Sequence, residues 1–229
     1  MISAIILCGG IGSRLGALTK SKPKCLIEIN SKPFLYYQLL KLQSYGIKKV
    51  IISTFHLEEQ IQAFIKSENL NLEISIISDG SSPAGTGGAI KNIIQGESDP
   101  YFVIYGDTYF NLDLAEVFKQ YNPKLDSPLM VIYKNSDKYD ISNVKLINQT
   151  AFYSKSNPPE GCEYIDYGIG IFQAKHFNGF EGNFDLSAVQ EFFSRKYSLQ
   201  HFVANERFYE IGSLSGLKEF KEIIDHDFN

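Results

Sequence analysis

The first half of the chain alternates short apolar runs with stretches whose apolar residues recur at helical spacing. Residues 2–7 form a continuous run rich in isoleucine, which is typical of a buried parallel strand. A helix is predicted between Pro33 and a cap at Gly46, because its apolar residues fall three or four positions apart. The same patterns predict strands at 50–52, 72–77 and 101–105 and helices at 57–66 and 87–94. Strands that alternate with helices indicate a mainly parallel sheet between helical layers.

The second half of the chain has strand-like segments with few helical patterns between them. Strands are predicted at 129–133, 144–147, 151–153 and 164–172, and one helix follows at 214–224. These segments indicate an antiparallel or mixed extension of the first sheet. Because no long Pro-, Gly- or Ser-rich linker divides the chain, we predict one domain with a Rossmann-like three-layer α/β/α fold. Its two lobes are predicted at about residues 1–110 and, smaller and antiparallel, at about 111–229.

Composition narrows the classes of protein to which the chain can belong. Its 229 residues are 44% hydrophobic, which is enough to build a large core and excludes global disorder. A net charge of −4 with no basic run argues against general binding to nucleic acid. No apolar run approaches the ~20 residues that span a bilayer, and the N-terminal segment lacks the basic region of a signal peptide. Three cysteines without C-x-x-C spacing argue against a disulfide scaffold, so we expect a soluble cytoplasmic protein.

A glycine-rich loop directly after the first strand carries the sharpest chemical pattern. Residues 7–15 read LCGGIGSRL, and four of the eight residues from 9 to 16 are glycines. Glycines let backbone N–H groups approach phosphate oxygens, and Arg14 adds one of only three guanidinium groups in the chain. The dinucleotide-binding fingerprint fits poorly because Leu15 stands at its third glycine, and the P-loop pattern fails. An ordinary tight turn is the remaining alternative.

The run GGIGSRLGALTKSKPKCLIEINSKP over residues 9–33 strongly resembles the N-terminal signature of sugar-1-phosphate nucleotidyltransferases. The resemblance implies that the glycine loop wraps the phosphates of a nucleotide. It also implies that Arg14 and Lys24 are catalytic residues that hold phosphate oxygens. The implied nucleotide-binding residues of the first strand and the loop are Leu7, Gly9, Gly10, Gly12 and Ser13. For the lysines between Arg14 and Lys24, a solvated basic stretch is the alternative.

A second glycine-rich segment, GSSPAGTGGA at residues 80–89, resembles the part of the family that lies against the nucleobase. The residues implied at the base are Asp79, Gly85, Thr86 and Gly87. Small residues allow a flat base to pack on backbone, and a carboxylate such as that of Asp79 can accept hydrogen bonds from guanine. The alternative for Thr86 is a cap of its own helix, and for Asp79 a turn.

Two carboxylates resemble the metal ligands of the family. Asp107 follows the strand at 101–105 in a Gly-Asp pair, at the edge of the sheet where α/β proteins bind ligands. Glu210, in the sequence FYEIGS, stands where the family usually has aspartate. The resemblance implies that both hold Mg²⁺, which prefers one or two carboxylates together with substrate phosphates. The alternative for Glu210 is a solvated residue in a turn, before a helix that Ser213 caps.

The sugar side departs most from the family pattern. Lys155 matches the lysine that meets the sugar phosphate, but the glutamate that usually precedes it is replaced by Ser154. The tripeptide at 166–168, Asp-Tyr-Gly, replaces the usual Asn-Ala-Gly. A carboxylate can accept two hydrogen bonds from sugar hydroxyls. The residues predicted to bind the sugar phosphate are Lys155, Asp166, Gly168 and Asn143.

The resemblance implies an enzyme that transfers a nucleoside monophosphate from a triphosphate to a sugar 1-phosphate, with Mg²⁺ as cofactor. Residues 1–110 would bind the nucleotide and residues 111–229 the sugar phosphate. Within the family, the pattern is most similar to short bacterial guanylyltransferases that act on D-glycero-α-D-manno-heptose 1-phosphate, which implies GTP and a capsule polysaccharide pathway. The alternatives are mannose 1-phosphate or another hexose phosphate, and a catalytically dead sensor of nucleotide sugars. Neither nucleic acid nor a membrane is an expected partner.

Overall fold

The computed structural model describes residues 2–10 and 12–227, and within them a nine-stranded mixed sheet forms the centre of the fold. The strands are β1 (Ser3–Leu7), β2 (Glu28–Ile29), β3 (Lys32–Pro33), β4 (Lys49–Thr54), β5 (Glu73–Ser78), β6 (Tyr101–Tyr105), β7 (Thr108–Tyr109), β8 (Leu129–Lys134), β9 (Val144–Ile147), β10 (Thr150–Tyr153), β11 (Tyr164–Phe172), β12 (Gln200–Ala204) and β13 (Tyr209–Glu210). The helices are α1 (Phe34–Ser44), α2 (Glu58–Ser67), α3 (Gly85–Ile94), α4 (Leu114–Gln120), α5 (Leu186–Arg195) and α6 (Leu214–Asp227). Short 3₁₀ helices lie at Ser13–Thr19, Lys24–Leu26, Pro123–Leu125 and Ala174–Phe177.

The first half of the chain forms the parallel part of the sheet, in the order β6-β1-β4-β5. Ile5 of β1 is in register with Ile51 on one side and with Val103 on the other. All three side chains are buried, which explains why β1 reads as an uninterrupted apolar run. The predicted parallel strands are therefore confirmed.

The second half continues the same sheet in the antiparallel direction. β11 pairs antiparallel with β6, β8 pairs antiparallel with β11, and β12 pairs parallel with β8. The predicted mixed extension is confirmed, but α5 and β12 were not predicted. Three of the five buried residues of α5 are polar (Ser187, Gln190 and Ser194), so its buried face lacks the apolar pattern that marks a helix in sequence.

Helices cover both faces of the sheet. One core cluster joins the sheet to α1, α2 and α4, while a second joins the opposite face to α3 and α5. α6 packs on α1 through the rings of Phe220 and Phe34, whose centroids are 5.0 Å apart. The predicted three-layer α/β/α arrangement is confirmed, whereas the lobe boundary near residue 110 stays a prediction. Within the described ranges, no helix has the length and apolarity that a membrane span needs.

Candidate active site

A cleft of about 360 Å³ opens where the carboxyl ends of β1, β4, β5 and β6 meet. This edge of a parallel sheet is where α/β proteins bind ligands. Ten residues predicted from sequence line the cleft: Leu7, Gly9, Gly10, Gly12, Arg14, Lys24, Asp79, Gly85, Thr86 and Asp107. They come from segments up to 100 residues apart in sequence, so the fold brings the predicted nucleotide-binding residues to one place.

A hydrogen bond from Thr19 fixes the conformation of the glycine loop at residues 9–16. The Thr19 hydroxyl donates to the carbonyl of Gly12 at 2.9 Å, and only 4% of Thr19 is exposed. Gly12 has φ of +69°, and a Cβ there would stand 2.8 Å from Cγ2 of Thr19. A larger residue is therefore excluded both by the backbone conformation and by contact. The Ser13 side chain, predicted to contact the nucleotide, lies outside what the structure describes.

Residues 105–108, which we call the Asp107 turn, are held against β1. The N–H of Gly106 donates to the carbonyl of Leu7 at 3.1 Å, and a Cβ on Gly106 would stand only 2.5 Å from that oxygen. Glycine thus lets the end of β6 approach the end of β1. The carbonyl of Asp107 in turn accepts from the N–H of Ile211 at 3.0 Å, which brings the neighbouring Glu210 to the same turn.

Charged groups converge at the Asp107 turn. The ammonium group of Lys24 forms an ion pair with Oδ2 of Asp107, and the two side chains are only 13% and 24% exposed. Burial of its carboxyl group and the nearby Asp107 together raise the pKa of Glu210 to about 7, although Lys24 and Arg14 act in the opposite direction. Glu210 as a whole is exposed, and it lines a neighbouring cavity that shares Arg14 and Gly212 with the cleft.

Asp107 and Glu210 fit a magnesium ion. Two close carboxylates disfavour each other's ionisation, and a divalent cation between them relieves this repulsion. In the described part of the chain, no group of three or more His, Cys, Asp or Glu side chains forms a complete protein metal site. Mg²⁺ does not need one, because it binds one or two carboxylates and takes its other ligands from phosphates and water. The alternative for Glu210 was a solvated residue in a turn before a helix that Ser213 caps. The N–H of Gly216 does donate to the Ser213 hydroxyl at 3.1 Å, as such a cap requires.

The glycine-rich segment at residues 80–89, predicted to lie against the nucleobase and called the nucleobase segment here, is hydrogen-bonded to residues 183–186. The hydroxyl of Thr86 accepts from the N–H of Leu186 at 2.8 Å, so the alternative that Thr86 caps its own helix is wrong. The N–H of Gly87 donates to the carbonyl of Phe184 at 2.9 Å, and a Cβ on Gly85 would collide with that oxygen. The glycines therefore allow close packing between two segments. Oδ2 of Asp79 accepts from the N–H of Ala84 at 2.9 Å and braces this loop.

Three of the four predicted sugar residues come together at residues 166–168, which we call the Asp166 segment. Oδ1 of Asp166 accepts from the N–H of Gly168, and Oδ1 of Asn143 accepts from the N–H of Asp166, both at 2.9 Å. Burial raises the pKa of Asp166 to about 6. Tyr105 links this segment to the cleft, because it lines the cleft and a Cβ on Gly168 would stand only 3.1 Å from its Cδ2.

Lys155 lies at the rim rather than in the cleft. Its side chain is 59% exposed, and its ammonium group is 3.7 Å from Oδ2 of Asp185, a residue that does line the cleft. Lys155 can therefore reach a phosphate at the sugar end only by moving away from Asp185.

Comparison with known proteins agrees with this geometry. The family model described as nucleotidyl transferase matches residues 3–209. The chain belongs to the nucleotidyl transferase family. Among its relatives, the D-glycero-alpha-D-manno-heptose 1-phosphate guanylyltransferase of Campylobacter jejuni is 35% identical over 200 residues, which cover 87% of this chain and 85% of the relative.

Two further relatives cover almost the whole of this nucleotidyl transferase. The D-glycero-alpha-D-manno-heptose 1-phosphate guanylyltransferase of Aneurinibacillus thermoaerophilus is 29% identical, with coverage of 98% of this chain and 99% of the relative. The crystal structure of HddC from Yersinia pseudotuberculosis complexed with GMP-PN superposes with a TM-score of 0.79 at 26% identity. That match covers 98% of this chain and 100% of HddC.

Sequence reasoning missed a buried residue that supports the site of this nucleotidyl transferase. Gln38 of α1 is fully buried, and its Nε2 donates to the carbonyls of Tyr105 at 3.0 Å and Thr108 at 2.8 Å. These two hydrogen bonds fix the backbone of the Asp107 turn on both sides of Asp107. A pattern in the sequence could have revealed it, because Gln38 falls in the same apolar stripe as Leu35 and Leu42. A polar residue in such a stripe needs a buried partner.

Proposed function

We propose that the protein transfers GMP from GTP to D-glycero-α-D-manno-heptose 1-phosphate and releases pyrophosphate. The observation that carries the proposal is the single cleft in which the glycine loop, Arg14, Lys24 and Asp107 meet. The printed activities of the two guanylyltransferase relatives support GTP and the heptose phosphate as substrates. A cytoplasmic location and a role in capsule polysaccharide synthesis stay predictions.

The reaction needs no nucleophile from the protein. An oxygen of the sugar 1-phosphate attacks the α-phosphorus of GTP, and a new phosphorus–oxygen bond forms. The bond between the α-phosphorus and the oxygen that bridges to the β-phosphate breaks, and its electron pair leaves with pyrophosphate. The protein therefore contributes position and charge, as in phosphoryl transfer generally.

In this proposal Arg14 and Lys24 bind phosphate oxygens and stabilise the charge that develops on the leaving pyrophosphate. Lys24 exchanges its ion pair with Asp107 for a phosphate oxygen when the nucleotide binds. Asp107 and Glu210 would hold Mg²⁺, which when bound supplies positive charge to the phosphate oxygens. Until then, Lys24 compensates the charge of Asp107 in a site that is only partly open to water.

Beside the cleft, the Asp166 segment would bind the sugar. Oδ2 of Asp166 can accept from a sugar hydroxyl, because its Oδ1 is already used by the N–H of Gly168. Tyr105 lines the cleft beside the Asp166 segment, and its phenol offers a further hydrogen bond. Lys155 is the cation assigned to the phosphate of the sugar.

The test is a pyrophosphate-release assay with Mg²⁺ that crosses four nucleoside triphosphates with a panel of sugar 1-phosphates. The panel includes the manno-heptose phosphate, mannose 1-phosphate and glucose 1-phosphate. We expect release with GTP and the heptose phosphate at a kcat/KM at least about tenfold above any other pair, as loss of one or two hydrogen bonds predicts. Chelation of Mg²⁺ should abolish the release.

Each other outcome has a definite meaning. Faster release with mannose 1-phosphate or with another triphosphate overturns the substrate assignment and keeps the reaction. No release from any pair, together with GTP binding measured by calorimetry, overturns the enzyme and favours the sensor. The replacement of aspartate by Glu210 would then be the first substitution to reverse.

A further inference from the structure

Two neighbouring residues of α5 contact the two groups assigned above to the sugar phosphate. Gln190 is 2% exposed, and its side chain lies near enough to the carboxylate of Asp166 to favour the ionised form of that group. Its Oε1 has no partner among the residues that the structure describes. A buried amide with an unpaired oxygen costs stability, which an apolar residue on this helix face would avoid.

Glu191 acts on the segment that carries Lys155. Its Oε1 accepts from the N–H of Lys155 at 3.0 Å and from the hydroxyl of Ser154 at 3.1 Å. Its side chain is only 20% exposed, and Oε2 bonds to the largely exposed Arg195. A mostly buried carboxylate that accepts a backbone N–H and a hydroxyl fixes the backbone at Lys155 more firmly than a surface loop requires.

The first turn of α5 is fixed to the nucleotide end of the cleft. The N–H of Leu186 donates to the hydroxyl of Thr86, and the carbonyl of Phe184 accepts from the N–H of Gly87. One rigid helix therefore runs from the nucleobase segment to the Asp166 segment. A helix of ten residues is about 15 Å long, which is long enough to relate the two ends of a nucleotide-sugar site.

We propose that Gln190 and Glu191 are positioning residues for the sugar 1-phosphate, because they hold Asp166 and Lys155 at a fixed distance from the bound nucleotide. The inference rests on the proposed function and deepens it. Neither residue touches the reacting atoms. Gln190 aims the carboxylate that accepts from sugar hydroxyls, and Glu191 fixes the strand end from which the Lys155 ammonium group reaches the sugar phosphate.

The test compares variants of the full-length protein in the pyrophosphate-release assay. Gln190→Met keeps the shape of the side chain and removes its hydrogen bonds, and Glu191→Leu does the same for Glu191. Each should raise the KM for the sugar 1-phosphate about tenfold, since groups that orient binding residues have effects of this size. The KM for GTP should stay within about twofold, because no nucleotide contact changes. Glu191→Gln keeps an acceptor and should restore most of the loss.

Ser194→Ala is the matched control. The Ser194 hydroxyl, on the same helix, accepts from the N–H of Tyr153 at 2.8 Å and is buried, but it contacts neither Asp166 nor Lys155. Its loss should lower Tm and leave both KM values unchanged. Should Gln190→Met fail to fold, the Glu191 pair still tests the proposal, because Glu191 retains solvent contact.

The result separates this inference from the proposed function. If the unmodified protein releases no pyrophosphate with any sugar 1-phosphate, the proposed function fails, and the positioning role fails with it. If the protein is active but the variants keep the sugar KM, the positioning role alone is overturned. An equal rise in both KM values, or a rise in Ser194→Ala of the same size, also overturns it.

Discussion

The Asp107 turn lines the cleft and the Asp166 segment lies beside it, against Tyr105 and Thr108, so we call the two the nucleotide end and the sugar end of the proposed site. A buried glutamine supports each of them in a different way. Gln38 donates to backbone carbonyls on both sides of Asp107 and leaves the carboxylate to Lys24. Gln190 instead acts on the carboxylate of Asp166 itself, whose ionised form it favours. A carboxylate that exchanges a lysine for a metal ion must stay free to change partners, so its backbone is fixed. A carboxylate that recognises hydroxyl groups gains from a fixed side chain.

The comparison separates two kinds of kinetic effect. Changes at the Asp107 turn should lower kcat, because they remove charge stabilisation that matters most in the transition state. Changes at the Asp166 segment should raise the KM for the sugar phosphate, because they remove an interaction that binds the ground state equally well. Substitutions at the two ends therefore test whether the effect on kcat and the effect on the KM for the sugar phosphate are separate.

The largest effect is expected from Asp107→Asn. The amide keeps the size of the side chain but removes the charge that would hold Mg²⁺, so we expect kcat to fall about 10³-fold. Nucleotide affinity measured by calorimetry should change little. Asp113→Asn is the matched control, because Asp113 caps α4 through the N–H of Ala115 and asparagine caps equally well. A loss in Asp107→Asn confined to the sugar KM would contradict the assignment of the two ends.

Gln38→Met tests whether the two hydrogen bonds from Gln38 to the backbone of the Asp107 turn matter for catalysis. The carbonyls of Tyr105 and Thr108 lose their donor, and the Asp107 turn can shift. A displacement of about 1 Å in such a group can cost about 10²-fold in rate, so we expect a loss of that size in kcat. The Mg²⁺ concentration for half-maximal activity should rise as well.

The control for this substitution is Gln43→Met on the same helix. Oε1 of Gln43 accepts from the N–H of Asn71 on the far side of α1 from the cleft. This variant should keep normal kcat and Mg²⁺ dependence. If Gln38→Met only lowers Tm and leaves kcat unchanged, Gln38 has a structural role alone.

The Asp107 turn could be predicted from sequence because its motifs are local and each places its residue at the end of a strand. The run at 9–33 and the Gly106-Asp107 pair lie directly after β1 and β6, and the parallel sheet brings both to the same edge. Glu210 also reaches this turn, because Ile211 bonds back to Asp107. Short motifs and strand order were therefore sufficient for the nucleotide end.

The partners of the residues that support the two ends could not be predicted, because they are distant in sequence: the apolar stripe of α1 marks Gln38 as a residue that needs a buried partner but does not say which one. Gln38 bonds to residues 67 and 70 positions away, and Glu191 to residues 36 and 37 positions away. α5 was missed because Ser187, Gln190 and Ser194 occupy its buried face. One of these three residues, Gln190, is also one of the two proposed to hold the sugar end.

Asp166→Asn tests the sugar end directly. The amide still accepts from the N–H of Gly168, but it loses the charge that strengthens hydrogen bonds to sugar hydroxyls. We expect the KM for the sugar 1-phosphate to rise about 30-fold, since a hydrogen bond to a charged group contributes about 1.5–3 kcal/mol. The kcat and the KM for GTP should change less than about threefold. A fall in kcat as large as that of Asp107→Asn would remove the distinction between the two ends.

The smallest effect on activity is expected from His176→Asn. This variant tests whether low pH destabilises the sugar end more than the rest of the molecule. The His176 ring packs against Phe193 of α5 with centroids 5.7 Å apart, and burial lowers its pKa to about 4. Between pH 6.5 and 4 the imidazole of His176 takes up a proton in the unfolded chain but not in the folded protein, so its contribution to stability is complete above pH 6.5 and falls toward pH 4. At pH 5 this contribution has fallen by about 2 kcal/mol, equivalent to about 4–8 °C in Tm. Asparagine keeps an acceptor for the N–H of Gln173 without titrating, so the Tm of His176→Asn should fall less between pH 8 and pH 5 than that of the unmodified protein.

Hydrogen exchange at pH 5 should show faster opening of α5 than of β1 in the unmodified protein. Equal protection of the two would contradict this prediction.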